Sequence, residues 1–156
     1  MDFKEYVKLA MRTNVQDRSF KYNILNGLLG LFGESCEFIL ADEYEQLDEL
    51  SDLYWYTALL FHTTGFEPLV TDKPTYSLMT NIGLLSDHFK KHFFQGHSLD
   101  DKWVQKLLSE IKFHLDFMAM EFVQVLPCQV WEHNIEKLKK RFPDGFEVEK
   151  SINRKE

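Results

Sequence analysis

The sequence predicts an all-α protein, a helical bundle of about six helices. Apolar residues recur at helical spacing along most of the 156 residues, and glycine and proline are scarce, with 7 and 4 copies. No segment sustains the alternation that is typical of a strand. Apolar residues make up 44% of the chain and aromatic residues 15%, which suits a single domain, residues 1–156, with its own core.

The helices are bounded by recognisable start and stop signals. Helical spacing covers residues 2–13, 20–43, 45–64, 76–94, 100–125 and the segment from Pro127 to Phe142. Gly65 is a plausible C-cap of the third helix, and the linker 65–74 that follows divides the chain into halves of about 1–64 and 75–145. Ser98 or Asp100 is placed to cap the fifth helix, and the sequence FPDGF ends the sixth.

The second helix is predicted to have an apolar face and a small, acidic face. The apolar face that we expect in the core consists of Leu25, Leu28, Leu29, Phe32, Cys36, Ile39 and Leu40. Asn26, Gly30, Glu34 and Glu37 project to roughly the opposite side, and Gly27 and Gly33 flank them. Small residues beside carboxylates leave room for a ligand or a neighbouring helix.

Charge and cysteine content limit the classes of partner. A formal charge of -7 argues against binding to duplex nucleic acid or to an anionic membrane. The longest apolar run, LYWYTALLF, is about half a membrane span. Cys36 and Cys128 lie in apolar surroundings and are expected to be reduced core thiols, which favours a cytoplasmic location.

Two pairs of carboxylates are the first candidate for a functional site. Glu34 and Glu37 are three residues apart, as are Glu49 and Asp52 on the next helix. A short connection should make these helices antiparallel, so that the pairs face each other. Carboxylates that converge repel unless a hard cation lies among them, and oxygen ligands favour Mg²⁺ or Mn²⁺. Each pair alone is also typical of a solvated helix face, and no Glu-x-x-His accompanies them, which disfavours a di-iron site.

Basic and amide side chains form a second candidate. Asn134, Lys137 and Arg141 share one face of the last helix, where they could clamp phosphates. Lys91, at the end of the fourth helix, could do the same. Lysine and arginine at these positions also complement the helix dipole, and that alternative stays open.

Together these segments resemble the MazG-like nucleoside triphosphate pyrophosphohydrolases. GLFGESCEF followed by DELSDLYWY is similar to the paired acidic motif of that family. KKHFFQGHSLD and NIEKLKKRFPDGF, with Ser151 and Arg154 shortly after, resemble its basic connector and C-terminal signature. The resemblance covers most of residues 20–154.

The order of the motifs departs from the common plan of that family. The Lys-Lys connector follows both acidic motifs instead of lying between them. It begins at the end of GLLSDHFKK, which aligns with GLFGESCEF without a gap but lacks its paired glutamates. We interpret the chain as an internally duplicated, phage-type member, whose first half keeps the metal ligands and whose second half keeps the basic elements. Such a chain would form a pseudo-dimer of two related helical halves.

The resemblance implies an enzyme that hydrolyses a nucleoside triphosphate, with a deoxynucleotide as the expected substrate, to the monophosphate and pyrophosphate. It implies Mg²⁺, or Mn²⁺, held by Glu34, Glu37, Glu49 and Asp52, with Glu34 or Glu37 as the catalytic base. Substrate binding would fall to Asn26, Lys91, Asn134, Lys137 and Arg141, and Trp55 or Trp103 could stack a base. It also implies a homo-oligomer, a dimer or tetramer. The alternative is a non-catalytic nucleotide-binding or helical protein-interaction module.

Overall fold

The described part of the chain folds into six α-helices, which confirms the predicted all-α class. The computed structural model describes residues 1–146, and no strand occurs within them. The helices are α1 (Phe3–Ala10), α2 (Phe20–Leu40), α3 (Gln46–Thr64), α4 (Leu78–Gln95), α5 (Asp101–Met118) and α6 (Pro127–Arg141). A 3₁₀ turn, Met11–Thr13, follows α1, and a π-helical turn, Ala119–Val123, extends α5.

Side-chain caps fix where four of the helices begin, and glycines fix where two helices end. The side chains that accept a hydrogen bond from a first-turn N–H are those of Asp2, Ser19, Ser77 and Asp100. Asp100, rather than Ser98, is thus the cap of α5. Gly65 and Gly96 adopt left-handed conformations, with φ of 73° and 74°, at the ends of α3 and α4.

Helix α2 ends at Leu40, three residues before the predicted boundary. Asp42 Oδ1 accepts hydrogen bonds from the N–H groups of Tyr44, at 2.8 Å, and Glu45, at 3.1 Å. This local bonding offers the backbone a turn in place of another helical residue. The turn returns the chain at once, so α3 packs against α2 as the antiparallel partner that the short connection predicts.

Helix α3 is the centre of the bundle. It contacts α1, α2, α5 and α6, while α4 packs on both α2 and α5. The fully buried side chains of α3 include Leu50, Leu53, Tyr54, Leu59 and Leu60. The α2–α3 and α4–α5 hairpins meet through α2 with α4 and α3 with α5, as a two-fold relation would require. The relation itself stays a prediction.

The predicted core face of α2 was wrong. The buried residues of this helix are Ile24, Gly27, Leu28, Leu31, Ser35 and Phe38. Of the predicted face only Leu28 is buried, whereas Leu29 and Ile39 are each 73% exposed. Helix α2 is apolar on more than one side, so helical spacing does not single out its core face. Cys36 is exposed and Cys128 is half-buried, so the expectation that both are core thiols was also wrong.

Two glycines explain why α2 faces α3 as it does. A Cβ atom on Gly27 would lie 2.6 Å from Leu60 Cδ2, and one on Gly30 would lie 2.3 Å from the ring of Tyr56. Side chains at these positions would therefore push the two helices apart. The close approach brings the acidic residues of α2 and α3 together.

Within residues 1–146, none of the helices combines the length and the apolar character that crossing a bilayer requires.

Candidate metal centre and adjoining cavity

Three of the four predicted carboxylates converge between α2 and α3. Glu34 of α2 and Glu49 and Asp52 of α3 each offer one oxygen, and these oxygens all lie within 4.8 Å of one another. Glu34 and Glu49 also share a side-chain hydrogen bond. The spacing of three residues on α3 places Glu49 and Asp52 on one face, and the antiparallel packing brings Glu34 opposite them. Oxygen donors at this separation suit a hard divalent cation.

The cluster holds more negative charge than its surroundings neutralise. Burial and the charges of Asp52, Glu37 and Glu49 raise the pKa of Glu34 from 4.5 to about 8. Burial, with the charges of Asp52 and Glu37, also raises the pKa of Glu49. A divalent cation among these oxygens would relieve the repulsion, so the donor set fits Mg²⁺ or Mn²⁺.

Glu37 stands apart from the other three carboxylates. Its side chain is exposed, and its oxygens are not part of the group within 4.8 Å. It still acts on the site, because its charge helps to raise the pKa of both Glu34 and Glu49. The structure thus brings together Glu34, Glu49 and Asp52, with Glu37 as a nearby charge.

Lys137 of α6 is ion-paired with the cluster. Its ammonium lies 2.9 Å from Asp52 Oδ1 and donates to the backbone carbonyl of Asp48 at 3.1 Å. His133, one turn earlier on α6, lies 2.6 Å from Asp48 Oδ1 through its Nε2. Sequence reasoning missed Asp48 and His133. Their positions in the sequence could have indicated both residues, because Asp48 directly precedes Glu49, and His133 is four residues before Lys137 on the same helix face.

The Asp48 carboxylate is held in its ionised form. Burial alone would raise its pKa, but the hydrogen bond to His133 and the charges of Lys137 and Arg141 outweigh burial and lower it. The first turn of α3 therefore carries one carboxylate paired with basic groups, Asp48, beside one crowded by other carboxylates, Glu49. The site therefore has a basic side, where Asp48 meets His133 and Lys137, and an acidic side, where Glu49 meets the other carboxylates.

A cavity of about 340 Å³ opens beside the carboxylates. Glu34 and Asp52 form part of its wall, together with Asn26 of α2 and two arginines, Arg18 and Arg141. Aromatic side chains also line it, among them Tyr22, Trp55, Tyr56 and Phe142. A cavity with carboxylates, guanidinium groups and aromatic rings matches the parts of a nucleotide, its phosphates and its base.

Trp55 and Arg18 are both fixed at this cavity. The indole N–H of Trp55 donates to Thr13 Oγ1 at 3.1 Å, and the guanidinium of Arg18 lies 4.5 Å from the centre of the Tyr22 ring. Sequence reasoning did not find Arg18, which lies before α2 and far along the chain from the basic segment. Trp103 does not line the cavity and instead packs edge-on against Tyr76.

The predicted substrate-binding residues fall in different places. Asn26 and Arg141 line the cavity, and Lys137 lies against Asp52. Asn134 is fully buried: it accepts from the hydroxyl of Tyr6 at 2.9 Å and donates to Ser51 Oγ at 3.3 Å. It therefore belongs to the core beneath the site.

Lys91, which the resemblance assigns to substrate binding, does not line the cavity. It lies on α4, where it is ion-paired with Asp87 four residues earlier. Ser151 and Arg154 lie outside the described residues.

No family model, curated protein or solved structure matches this chain.

Replacing Glu34 by glutamine should stabilise the protein at alkaline pH. The pKa of Glu34 is about 8 in the folded protein against an ordinary 4.5, so the folded state binds the proton more tightly and stability falls as pH rises between these values. Water still reaches part of the carboxyl group, which weakens the effect. We therefore expect Glu34→Gln to raise the free energy of unfolding by about 2 kcal/mol, and Tm by roughly 5 °C, at about pH 9.

Thermal melts at about pH 5 and about pH 9 check this expectation, since the gain should be confined to the higher pH. Glu43→Gln, in the exposed turn after α2, is the matched control and should leave Tm unchanged at both. If the Glu34→Gln variant melted below the wild type at the higher pH, repulsion among the carboxylates would not be what destabilises the folded protein there.

Proposed function

We propose that this chain is a divalent-metal-dependent nucleoside triphosphate pyrophosphohydrolase, which converts a ribo- or deoxyribonucleoside triphosphate to the monophosphate and pyrophosphate. The observation that carries the proposal is the convergence of Glu34, Glu49 and Asp52 at the wall of a cavity that also presents Arg18 and Arg141. The family resemblance of the motifs points to the same reaction.

The basic residues would hold the phosphates. Arg141 offers a planar guanidinium that can bind phosphate oxygens in bidentate fashion, and Arg18 faces the same cavity. Lys137 lies one turn before Arg141 and is ion-paired with Asp52, between the acidic and basic sides of the site. Lys137 thus ties α6 to the carboxylates, beside the cavity that Arg18 and Arg141 line.

The aromatic residues and Asn26 would hold the nucleoside. Tyr22, Trp55 and Tyr56 present ring surfaces on which a base can stack, and stacking is tolerant of base identity. Asn26 lies one helical turn before Gly30 and two turns before Glu34, on the acidic face of α2. Its amide can donate to or accept from a sugar or base group.

The carboxylates would serve both the cation and the attacking water. Glu34, Glu49 and Asp52 would hold Mg²⁺ or Mn²⁺, which when bound supplies positive charge opposite the negative charge that develops on the α-phosphate. Burial and the neighbouring carboxylates raise the pKa of Glu34 to about 8, and a base of this kind can take a proton from water in the reaction and release it afterwards. The exposed Glu37 would act through its charge, which helps to raise the pKa of Glu34 and of Glu49.

A panel of nucleotides tests this proposal. The purified protein is incubated with each common NTP and dNTP in the presence of Mg²⁺, and the products are separated by ion-exchange chromatography. We expect nucleoside monophosphate and pyrophosphate in equal amounts, because attack at the α-phosphorus breaks the bond to the β-phosphate. Nucleoside diphosphate with free phosphate would indicate another reaction. Binding of a nucleotide without turnover would favour the non-catalytic nucleotide-binding alternative.

A further inference from the structure

A series of buried hydrogen bonds runs beneath the metal centre and joins three helices. Tyr6 of α1 donates from its hydroxyl to Asn134 Oδ1 of α6 at 2.9 Å, and Asn134 Nδ2 donates to Ser51 Oγ of α3 at 3.3 Å. Ser51 Oγ donates in turn to the backbone carbonyl of Asp48 at 2.7 Å. Tyr6, Ser51 and Asn134 are each fully buried. We name this series the buried chain.

Each hydrogen bond of the buried chain has one possible direction. A backbone carbonyl can only accept, so the single proton of the Ser51 hydroxyl points to Asp48. Ser51 Oγ must then accept from the amide nitrogen of Asn134, which turns Asn134 Oδ1 toward the Tyr6 hydroxyl. Burial, and after it the charge of Asp52, raise the pKa of Tyr6 well above its ordinary value, so this hydroxyl stays protonated and donates.

The buried chain ends where Lys137 meets the carboxylates. The Asp48 carbonyl that accepts from Ser51 also accepts from the Lys137 ammonium at 3.1 Å. The same ammonium lies 2.9 Å from Asp52 Oδ1. Ser51 directly precedes Asp52, and Asn134 lies one helical turn before Lys137. Asp52 and Lys137 therefore both lie next to helix positions that the buried chain holds together.

We infer that Tyr6 is a positioning residue for the metal centre, although its hydroxyl donates to Asn134 rather than to a carboxylate. Acting through Asn134 and Ser51, this hydroxyl holds α6 and the start of α3 in one relative position. That position sets where the Asp52 carboxylate lies for a divalent cation. Removal of a hydrogen bond behind a metal ligand typically weakens metal binding by about 10- to 100-fold. The inference rests on the metal centre of the proposed function, but not on which phosphate bond is broken.

Tyr54 is a second buried tyrosine that lies outside the buried chain. Its ring centre is 6.4 Å from that of Tyr6, and both residues are fully buried. The Tyr54 hydroxyl donates to Asp116 Oδ1 of α5 at 2.6 Å. Removing either hydroxyl deletes one hydrogen bond from the same aromatic cluster and should lower Tm by roughly 4 °C. Only the Tyr6 hydroxyl belongs to the buried chain, so only its loss should change the affinity for metal.

Binding of Mn²⁺ alone tests the inference without any nucleotide. Mn²⁺ is titrated into the purified protein, the free ion is measured by electron paramagnetic resonance, and circular dichroism checks the fold of each variant. Tyr6→Phe should weaken Mn²⁺ binding by about tenfold, whereas Tyr54→Phe should bind as the wild type does. Ser51→Ala breaks another bond of the buried chain and should weaken binding to a similar extent. It provides the same test if Tyr6→Phe does not fold.

A double variant tests whether Tyr6 acts through the buried chain. Tyr6→Phe combined with Ser51→Ala should weaken Mn²⁺ binding little more than either change alone, because both break the same series of bonds. If the two losses multiplied instead, Tyr6 would act independently of Ser51 and the inference would be wrong.

The outcomes distinguish this inference from the proposed function. Equal Mn²⁺ affinities of Tyr6→Phe and Tyr54→Phe would overturn the inference alone. A wild type that binds Mn²⁺ but releases no pyrophosphate would overturn the proposed reaction alone, and the comparison of the two tyrosine variants would still decide the role of Tyr6. A wild type that binds no Mn²⁺ would overturn both, because the carboxylates would then not form a metal centre.

Discussion

Replacing Glu49 by glutamine is expected to lower the rate of pyrophosphate release on the order of a thousandfold. Glu49 contributes one of the three converging oxygens and shares a hydrogen bond with Glu34. Glutamine keeps the shape of the side chain but removes the negative charge that a cation requires. Because the pKa of Glu49 is raised by burial and by the charges of Asp52 and Glu37, removing its charge also relieves repulsion. Tm should therefore hold or rise while activity is lost.

Steady-state kinetics beside thermal melts separate a loss of chemistry from a loss of fold. Glu43→Gln makes the same chemical change at an exposed position after α2 and should keep both the rate and Tm of the wild type. Full activity of the Glu49→Gln variant would show that the reaction does not need the Glu49 carboxylate. A variant that unfolds would show that this carboxylate is structural.

Replacing Gly27 by alanine is expected to destabilise the protein by about 2 kcal/mol, which lowers Tm by roughly 6 °C. The added Cβ would lie 2.6 Å from Leu60 Cδ2 and 2.7 Å from Leu60 Cγ. Leu60 is fully buried, so its side chain cannot move aside without displacing other core residues. This overpacking outweighs the gain of roughly 1 kcal/mol that alanine brings to a helix interior.

Gly33 offers a matched substitution on the same helix. A Cβ on Gly33 would meet nothing within 4 Å among the described residues, so Gly33→Ala should raise stability by up to about 1 kcal/mol. Chemical denaturation of both variants measures the two changes in the free energy of unfolding. If both glycines gave the same gain, α2 and α3 would not approach each other as closely as described here.

Helical periodicity and capping chemistry predicted the six helices because both are local properties of the chain. Ser98 and Asp100 were equally suitable caps on sequence, and only the backbone geometry selects Asp100. Helix α2 ends early because the Asp42 carboxylate accepts hydrogen bonds from the N–H groups of the following turn. The spacing of apolar residues carries no information about these bonds. The orientation of α2 depends on where Gly27 and Gly30 let another helix approach, which is a tertiary property.

The candidate site was predictable where its residues lie three or four apart on one helix. This is why Glu49 and Asp52, and likewise Lys137 and Arg141, could be grouped from spacing alone. Asn134 shows the limit of spacing alone. It lies on the same predicted helix face as Lys137 and Arg141, but it is buried and hydrogen-bonded to Tyr6 and Ser51. Arg18 could not be predicted, because only the packing of the bundle brings the segment before α2 to the cavity.

The metal dependence of pyrophosphate release is the most direct test of the proposed reaction. The wild-type protein is assayed with its best nucleotide from the panel, first with Mg²⁺, then with excess chelator, and then with Mg²⁺ restored. We expect pyrophosphate release to stop with the chelator and to return with the metal, and we expect no such recovery in an Asp52→Asn variant that remains folded. Absence of pyrophosphate release from every nucleotide by a folded protein, or release that chelator does not affect, would contradict the proposed metal-dependent reaction.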